Sequence, residues 1–533
     1  MGAALLLAAG AAARLHGLGR SLWLDEAWVA NSVLAPTLAG TLRYDAWLQT
    51  SPPLFLALER GAVAIAGSSN AALRAVPAVF SLAALALGAA LAWRWLPAPG
   101  ALAAIAFLAL SPSIVAQGAA AKPYASDVFA GAALLALGDA YLARPSGRRL
   151  ALALAAGALL SLLSFFALLF LPALALAALP GPGARARAPA WHALAAAGTA
   201  AAFAAALDAL CIAPNRGPDL VAYFADDFWP GGGAAELAAW VGARLRLVAA
   251  SAPGLARDGA GESGVAAIMM LGLCDLAWRG ARGDARAFAR AGLCAAPLLG
   301  ALLAHLAGLL PLSRGSARLL LFLAVPTALA FGAGLEALAR GAGGAVARVG
   351  RASPSRARGA AAWLALALLA VGLVASARAG RLRALVERPP VEEAEGALAL
   401  LASEARPEDV VYVHSTMRES AAFYARRTPI GAGRVVLGDV DWPCCPRGHS
   451  ARRDEDPAAV MPRELARLRE AGLAGRRLWV LVTARESHFR WRGHRSPAVL
   501  ERWLAQIGCR LAATTPFRGV RVDRYACGSP PTP

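Results

Sequence analysis

The chain has 533 residues, of which 58% are hydrophobic and 16% are charged. An average soluble protein has about 25% charged residues, so this composition excludes a disordered chain and argues against an ordinary soluble globular protein. The formal net charge of +19 comes from arginine, because Lys122 is the single lysine among 53 basic residues. Replacement of lysine by arginine is typical of a GC-rich genome, and we expect no nucleic-acid partner.

Long apolar runs recur along the first 380 residues and predict membrane-spanning helices. A bilayer core needs about 20 mainly apolar residues per helix, because lipid offers no partner for free backbone groups. The run 150–180 is divided into two short helices, which keeps the basic loops on one side of the membrane. About eleven spans are predicted, near residues 1–15, 74–93, 100–117, 125–143, 150–163, 166–180, 190–212, 263–279, 291–312, 318–338 and 360–377.

The placement of arginine predicts which ends of the spans face the cytoplasm. One set of loops is short, nearly free of acidic residues and rich in arginine, as at 144–149 and 279–286. The opposite loops are longer and carry the acidic residues, above all 16–73 and 213–262. We therefore expect a multi-pass protein in contact with membrane lipids, with a cytoplasmic N-terminus and an extracytoplasmic region after about residue 378.

Beyond residue 377 the apolar runs shorten and charged residues increase, which predicts a second domain over 378–533 after a membrane domain over 1–377. Short β-rich strings alternate there with helical patterns, so a small α/β domain is expected. The predicted strands are 410–415, 434–439, 477–484 and 520–527, and the predicted helices are 391–405, 415–427, 458–472 and 496–507.

Four cysteines of this domain would lie outside the cytoplasm, where disulfides persist. Cys509 and Cys527 flank a possible final hairpin and are the best candidates for a bonded pair. Cys444 and Cys445 complete the set, and none of the four has the CxxC spacing typical of a zinc site. The histidines of the domain are expected to be solvated, so no metal site is predicted.

The segment Trp23-Leu24-Asp25-Glu26 follows directly after the first predicted span. Two adjacent carboxylates beside a hydrophobic slab are costly unless they are solvated, paired or used. One reading makes Asp25 the cap of an interfacial helix over 26–35. The other makes Asp25 a general base whose basicity is raised by partial desolvation. The two readings are compatible.

A second cluster, at 121–127, lies at the external end of the fourth predicted span. Its lysine, Lys122, is retained in a chain where arginine is the default, which indicates a compact charge that faces a phosphate. A lysine that reaches the membrane interface is the plainer alternative. Tyr124 follows closely, and Asp127 is expected to pair with Lys122, to bind a metal or to cap the helix.

Two further segments lie on the external side. Ser51 precedes two prolines, which force an extended entry into the following helix. Arg314 and Arg318 lie in an external turn and break the local charge asymmetry, which indicates an anionic partner such as a lipid phosphate. Unspecific contact with phospholipid headgroups is the alternative.

The order of these motifs carries a family resemblance. An aromatic-x-Asp-Glu at 23–26, a Pro-Pro-Leu-aromatic at 52–55, an Arg-x-x-Pro that begins at Arg74 and a basic-Pro-Tyr at 122–124 follow one another. Together they resemble the GT-C membrane glycosyltransferases of the protein O-mannosyltransferase and aminoarabinose-transferase type, especially their bacterial relatives. The motifs cover about residues 15–180, and the number of spans and the exported domain extend the resemblance.

The resemblance implies transfer of a sugar from a polyprenyl-phosphate carrier to an acceptor on the external face of a bacterial inner membrane. It implies an inverting displacement with Asp25 as the catalytic aspartate and Glu26 in support. Lys122, Tyr124, Arg314 and Arg318 would bind the donor phosphate.

Lys122 stands where many relatives have arginine, and Ser51 stands where relatives often have histidine or lysine. The acceptor, a glycan, a lipid or a protein, stays open, and so does a divalent cation.

Two rival functions are a transporter or flippase of lipid-linked sugars and a non-catalytic assembly subunit. Transporters usually have two similar halves and polar residues at mid-membrane. Here no internal repeat is visible, and the polar residues gather at the external ends of the predicted spans. The sequence therefore favours the transferase.

Overall fold

The computed structural model describes residues 1–42, 51–172, 190–215, 227–251, 259–313, 316–349, 391–430, 434–438, 457–484 and 496–528. The helices are α1 (Gly2–Leu15), α2 (Leu24–Val33), α3 (Leu38–Thr41), α4 (Pro53–Ala66), α5 (Ala75–Trp95), α6 (Ala98–Leu110), α7 (Pro112–Gln117), α8 (Tyr124–Ala143), α9 (Gly147–Leu163), α10 (Ala190–Leu207), α11 (Ala234–Arg246), α12 (Gly259–Ala281), α13 (Ala285–Leu306), α14 (Ala324–Val349), α15 (Ala394–Glu404), α16 (Arg418–Tyr424), α17 (Pro457–Glu470) and α18 (Ser496–Gln506). The strands are β1 (Val410–Val413), β2 (Arg434–Leu437), β3 (Arg477–Thr483), β4 (Cys509–Phe517) and β5 (Val520–Cys527).

Short 3₁₀ and π segments extend several of the helices. The 3₁₀ segments are Ala72–Arg74, Phe165–Phe170, Ala213–Asn215, Ala317–Leu323 and Ser415–Met417, and the π segments are Asp208–Ile212 and Leu247–Ser251.

In the described part of the chain, six helical segments are long and apolar enough to cross a membrane. Their side chains explain this, because leucine and alanine make most of each helix surface apolar and at most two charged residues fall within the apolar window. The segments are Ala72–Trp95, Tyr124–Ala143, Trp191–Ile212, Gly261–Ala281, Ala285–Leu306 and Ala317–Ala342. Gly2–Leu15 and Ala98–Leu110 are shorter apolar helices.

The multi-pass membrane region is thus confirmed, whereas the count of eleven spans is not. The predicted span 360–377 and most of 166–180 lie outside the described residues. The predicted span 100–117 is divided at Ser111, because Pro112 has no N–H to continue the helix ladder and α7 begins there.

Outward-facing leucines mark the lipid-exposed surface of these helices. Several leucines of the apolar helical segments are more than half exposed, as expected where the solvent is lipid. They include Leu5, Leu194, Leu210, Leu299 and Leu303.

Glycine allows α14 to approach two other helices at backbone distance. A Cβ atom at Gly272 of α12 would overlap the backbone of Ala330 in α14, and one at Gly334 would overlap Ile268. On the other side of α14, Gly332 and Gly100 meet in the same way. Small residues of this kind permit close helix packing in membranes, where the hydrophobic effect does not drive association.

The C-terminal region contains a five-stranded sheet in the order β2-β1-β3-β5-β4. β1 is parallel to both β2 and β3, and β5 is antiparallel to β3 and β4. Every residue of β1 is buried, as expected for a central strand covered on both faces. The predicted α/β domain is confirmed, with its four strands and four helices near their predicted positions.

Strand β4 is an addition to the four predicted strands. It is an edge strand whose residues are mostly exposed, so the alternating apolar pattern that reveals a strand is missing. It pairs with β5 as the final hairpin, and Cys509 lies directly opposite Cys527. These two residues form a disulfide, which confirms the predicted pair.

The C-terminal domain packs directly against α2 and the residues just before it. One apolar cluster contains Leu22 and Val29, which belong to the segment around α2, together with Leu398, Met417 and Phe423 of the domain. Because these side chains share one buried core, α2 lies between the membrane helices and the domain.

Candidate active site

Asp25 lies in the first turn of α2, at the end where the backbone N–H groups favour negative charge. Its carboxylate is 3.1 Å from the guanidinium of Arg318, and the side chains are 13% and 33% exposed. Both groups therefore remain reachable from outside the protein. Arg318 belongs to the 3₁₀ turn before α14, nearly 300 residues away in the sequence.

Arg318 is the centre of a wider set of contacts. Its guanidinium lies 5.7 Å from the ring centroid of Trp23, a cation–π distance. It also contacts the hydroxyl of Tyr124 at the start of α8. Arg318 thus joins three elements at one end of the membrane region, and its five donors allow it to hold Asp25 and a further anion together.

Glu26, in contrast, is completely buried. Arg74 donates to both of its carboxylate oxygens, at 2.9 and 2.6 Å, and the backbone N–H of Ala121 donates to Oε1 at 2.8 Å. The backbone N–H of Trp23 completes the set at 3.3 Å. Glu26 therefore ties the start of α2 to the start of α5 and to the segment before α8.

These contacts decide the charge of Glu26. Burial alone would raise the pKa of the carboxyl, but the Arg74 guanidinium and the Ala121 N–H more than offset it and hold the pKa below its usual value. Glu26 is consequently an ionised, fully bonded carboxylate that has no free oxygen to offer a substrate. Arg74 also donates to the backbone carbonyls of Leu18, Arg20 and Ser21, so it fixes the chain that precedes Asp25.

Lys122 lies next to this bonded carboxylate, because its neighbour Ala121 donates to Glu26. The lysine is 9% exposed. Burial lowers the pKa of its ammonium group, with Asp25 acting in the opposite direction and Arg318 in the same direction. Lys122 and Arg318 are thus two cations close to Asp25, although a buried cation pair is unfavourable without an anion between them.

Asp127 does not pair with Lys122 in the described part of the chain. It is 4% exposed on α8 and lies beside the hydroxyl of Ser164, on the side of α9. Ser51 is buried before α4, and the chain continues through Pro52 at the N-cap. Arg314 lies outside the described residues.

The structure therefore brings together Asp25, Lys122, Tyr124 and Arg318, with Glu26 and Arg74 behind them. A carboxylate in such a place can accept a proton, and the cations beside it can bind a further anion. Among the described residues, no group of three or more His, Cys, Asp and Glu side chains is arranged to hold a metal ion.

Two buried charged residues were missed in the sequence. Glu59 of α4 is completely buried, neither carboxylate oxygen has a hydrogen-bond partner in the described structure, and burial together with the Glu26 carboxylate raises its pKa well above the usual value. Arg14 of α1 is 1% exposed and donates to Ser81 and to backbone carbonyls of α6. The signal for Glu59 was its place on the apolar face of α4 with Phe55 and Leu56.

Comparisons with known proteins extend the picture. No protein-family model and no curated protein matches the sequence. Among solved structures, apo ArnT from Cupriavidus metallidurans superposes with a TM-score of 0.50 at 16% identity, covering 98% of this chain and 97% of that chain. This protein has the ArnT fold. ArnT is an aminoarabinose transferase of the GT-C class, so the predicted fold class, a GT-C-like membrane core with a small α/β domain, is confirmed.

Two further structures were found in the same comparison. ArnT from Cupriavidus metallidurans bound to undecaprenyl phosphate has a TM-score of 0.49 at 14% identity, with 98% of this chain and 96% of that chain covered. The oligosaccharyltransferase of Archaeoglobus fulgidus in complex with Zn and sulfate has a TM-score of 0.46 at 13% identity, with 99% and 73% covered.

Proposed function

We propose that this protein is an integral-membrane glycosyltransferase that moves a sugar from a polyprenyl-phosphate-linked donor to an acceptor on the extracytoplasmic face. The observation that carries the proposal is the pairing of Asp25 with Arg318, with Lys122 beside them, at one end of a membrane region with the ArnT fold. A base and two cations within one small site are what such a transfer needs.

The proposed reaction is an inverting displacement at the anomeric carbon. Asp25 accepts the proton of the acceptor hydroxyl while the oxygen of that hydroxyl forms a bond to the anomeric carbon. The bond between that carbon and the phosphate oxygen breaks, and the bonding electrons leave with the polyprenyl phosphate. Lys122 and Arg318 stabilise the charge that develops on this phosphate, and Tyr124 contributes its hydroxyl.

Glu26 and Arg74 support the base without taking part in the transfer. Because their two-bond pair fixes the start of α2 and the backbone of Ala121, it sets the distance between Asp25 and Lys122. Pre-organisation of this kind matters, since a displacement of about 1 Å in a reacting group costs about 100-fold in rate.

The orientation of the chain is part of the proposal. We place the membrane domain at 1–377, with a cytoplasmic N-terminus, and an extracytoplasmic domain at 378–533. The disulfide between Cys509 and Cys527 supports this orientation, because disulfides are rare in a reducing cytoplasm. The exported domain is also the place we propose for selection of the acceptor, a glycan, lipid or protein.

The decisive experiment compares wild type with Asp25→Asn in nanodiscs. A panel of polyprenyl-monophosphate sugars is offered together with an extract of envelope lipids and glycans as acceptor, and release of polyprenyl phosphate is followed. We expect release by wild type and a loss of about 10²–10⁴-fold in the variant, the usual contribution of a general base.

The matched control is Asp284→Asn, which removes a carboxylate that also pairs with an arginine, Arg279 at 2.8 Å, at the start of α13. It should retain wild-type release. Equal donor binding by wild type and Asp25→Asn, with no release by either, would contradict the proposal and favour a transporter or flippase of lipid-linked sugars.

A further inference from the structure

The C-terminal domain makes hydrogen bonds to the backbone on both sides of Trp23, directly before the proposed base. The hydroxyl of Tyr424 accepts from the backbone N–H of Leu22 at 2.7 Å. The carboxylate of Glu392 accepts from the backbone N–H of Leu24 at 2.9 Å. Tyr424 is 1% exposed and Glu392 is 0% exposed, so neither bond competes with water.

The bond to Leu24 supplies an acceptor for a backbone N–H in the first turn of α2. The first N–H groups of a helix have no partner within the helix, and a carboxylate placed there is stabilised by the helix dipole. In α2 the acceptor for the Leu24 N–H comes from a residue 368 positions later in the chain. The C-terminal domain therefore supplies a hydrogen-bond acceptor to the first turn of the helix that carries Asp25.

Further polar contacts surround these two bonds. The side-chain amide of Asn31, near the end of α2, donates to the backbone carbonyl of Glu419 at 2.9 Å. Asn70, just before Arg74 in the chain, donates to Glu395 at 2.7 Å and accepts from Arg427 at 3.0 Å. Both ends of α2 are thus held by the domain, which leaves the helix little freedom to rotate.

We propose that the C-terminal domain is a positioning part of the active site, in which Tyr424 and Glu392 set the orientation of Asp25. The inference rests on the proposed function, because it concerns the base of that reaction. Packing between two domains alone would not require hydrogen bonds to Leu22 and Leu24, which directly precede Asp25 in the chain. Tyr424 and Glu392 are positioning residues, since they act through the backbone of α2.

The chain offers a matched pair of tyrosines for the test. Tyr412 is also completely buried, but its hydroxyl donates to Glu464 at 2.9 Å inside the C-terminal domain. Tyr424→Phe should lower kcat about 5–10-fold and leave the KM for donor unchanged, because the cations that bind the phosphate belong to other elements. Tyr412→Phe should leave both constants at their wild-type values.

Glu392 and its neighbour provide a second matched pair. The carboxylate of Glu393 accepts from the backbone N–H of Arg518, inside the C-terminal domain, so Glu393→Ala is the control for Glu392→Ala. We expect Glu392→Ala to lose at least 10-fold in kcat. Glu392→Gln should recover much of the loss, because an amide oxygen still accepts from the Leu24 N–H.

Hydrogen exchange provides a readout that does not depend on activity. Exchange of the backbone amides over 21–26 should rise in Tyr424→Phe and stay at the wild-type rate in Tyr412→Phe. Equal kcat and equal exchange in the two tyrosine variants would overturn the inference. It would leave the proposed function intact as long as wild type releases polyprenyl phosphate and Asp25→Asn does not.

Discussion

Arg74 and Glu26 form a two-bond ion pair from which water is excluded, with side chains that are 0% and 1% exposed. One oxygen of Glu26 accepts from Nε of Arg74 and the other from Nη2. The pair also bonds five backbone groups around the proposed base, those of Leu18, Arg20, Ser21, Trp23 and Ala121. Such a pair is costly to separate, because removal of one partner leaves the other charge buried without compensation.

We expect Arg74→Ala to lower the free energy of unfolding by about 3–5 kcal/mol, the usual cost of breaking a buried ion pair. Thermal unfolding in detergent measures the loss. The double variant Arg74→Met with Glu26→Gln should be more stable than Arg74→Ala, because it leaves no buried charge. The control is Arg406→Ala, whose pair with Glu408 is exposed and 4.0 Å long, and which should cost at most about 1 kcal/mol.

The pH dependence of donor use should depend on Lys122. Burial lowers the pKa of its ammonium group, so the charge that binds phosphate is lost at a lower pH than for an ordinary lysine near 10.4. We expect kcat/KM for donor to fall on the alkaline side as pH rises through this lowered pKa. In Lys122→Arg the alkaline fall should disappear, because arginine stays protonated.

If kcat/KM for donor still fell at high pH in Lys122→Arg as it does in wild type, the titrating group would be another residue. Lys122→Ala completes the series and should raise the KM for donor by at least 10-fold, since a hydrogen bond to a charged group contributes about 1.5–3 kcal/mol.

His414 predicts a loss of stability in acid. The side chain is 1% exposed, and burial with the nearby Arg521 lowers its pKa from 6.5 to about 4. In the unfolded state His414 therefore binds a proton below pH 6.5, whereas in the folded state it stays neutral down to about pH 4. The contribution of His414 to the free energy of unfolding is therefore fully present above pH 6.5. It falls by about 3 kcal/mol as the pH decreases from 6.5 to about 4.

Thermal unfolding at a series of pH values tests this point. His414→Gln should flatten the dependence between pH 6.5 and 4. The exposed His16 is the control, and His16→Gln should keep the wild-type slope. A slope that is the same in all three proteins would show that other groups carry the acid sensitivity.

The Cys509–Cys527 disulfide should stabilise the C-terminal domain by about 3 kcal/mol, as expected for a loop of 18 residues. Double replacement of both cysteines by alanine should therefore lower the unfolding temperature, and a reducing agent should do the same to wild type. Cys274→Ala, which removes an exposed free cysteine, should have no effect. The same unfolding temperature with and without reductant would contradict the prediction.

The sequence predicted which residues gather at the site better than it predicted their partners. Asp25, Lys122 and Arg318 were each placed at the external end of a predicted span, and ends on one side of a membrane share a plane. The choice of partners depends on the lateral order of the helices, which hydropathy does not encode. Asp127 shows this, because its neighbour proved to be Ser164 rather than Lys122.

Local patterns also account for what was predicted in the C-terminal domain. β1 and β3 are continuous apolar runs because both faces are covered, and such runs are recognisable. β4 was missed because it is an exposed edge strand. The bond between Tyr424 and the backbone just before α2 was missed because Tyr424 and Leu22 are 402 residues apart. Contacts of that range follow from the fold and leave no local pattern.

The glycine contacts of α14 bear on how a long isoprenoid chain reaches the site. Gly272 and Gly334 bring the backbones of α12 and α14 together, and Gly100 and Gly332 do the same for α6 and α14. No acyl or isoprenoid tail fits between backbones that touch, so both seams beside α14 are closed to lateral passage at this depth. A donor that diffuses within the leaflet must therefore approach Arg318 by another face of the helical bundle.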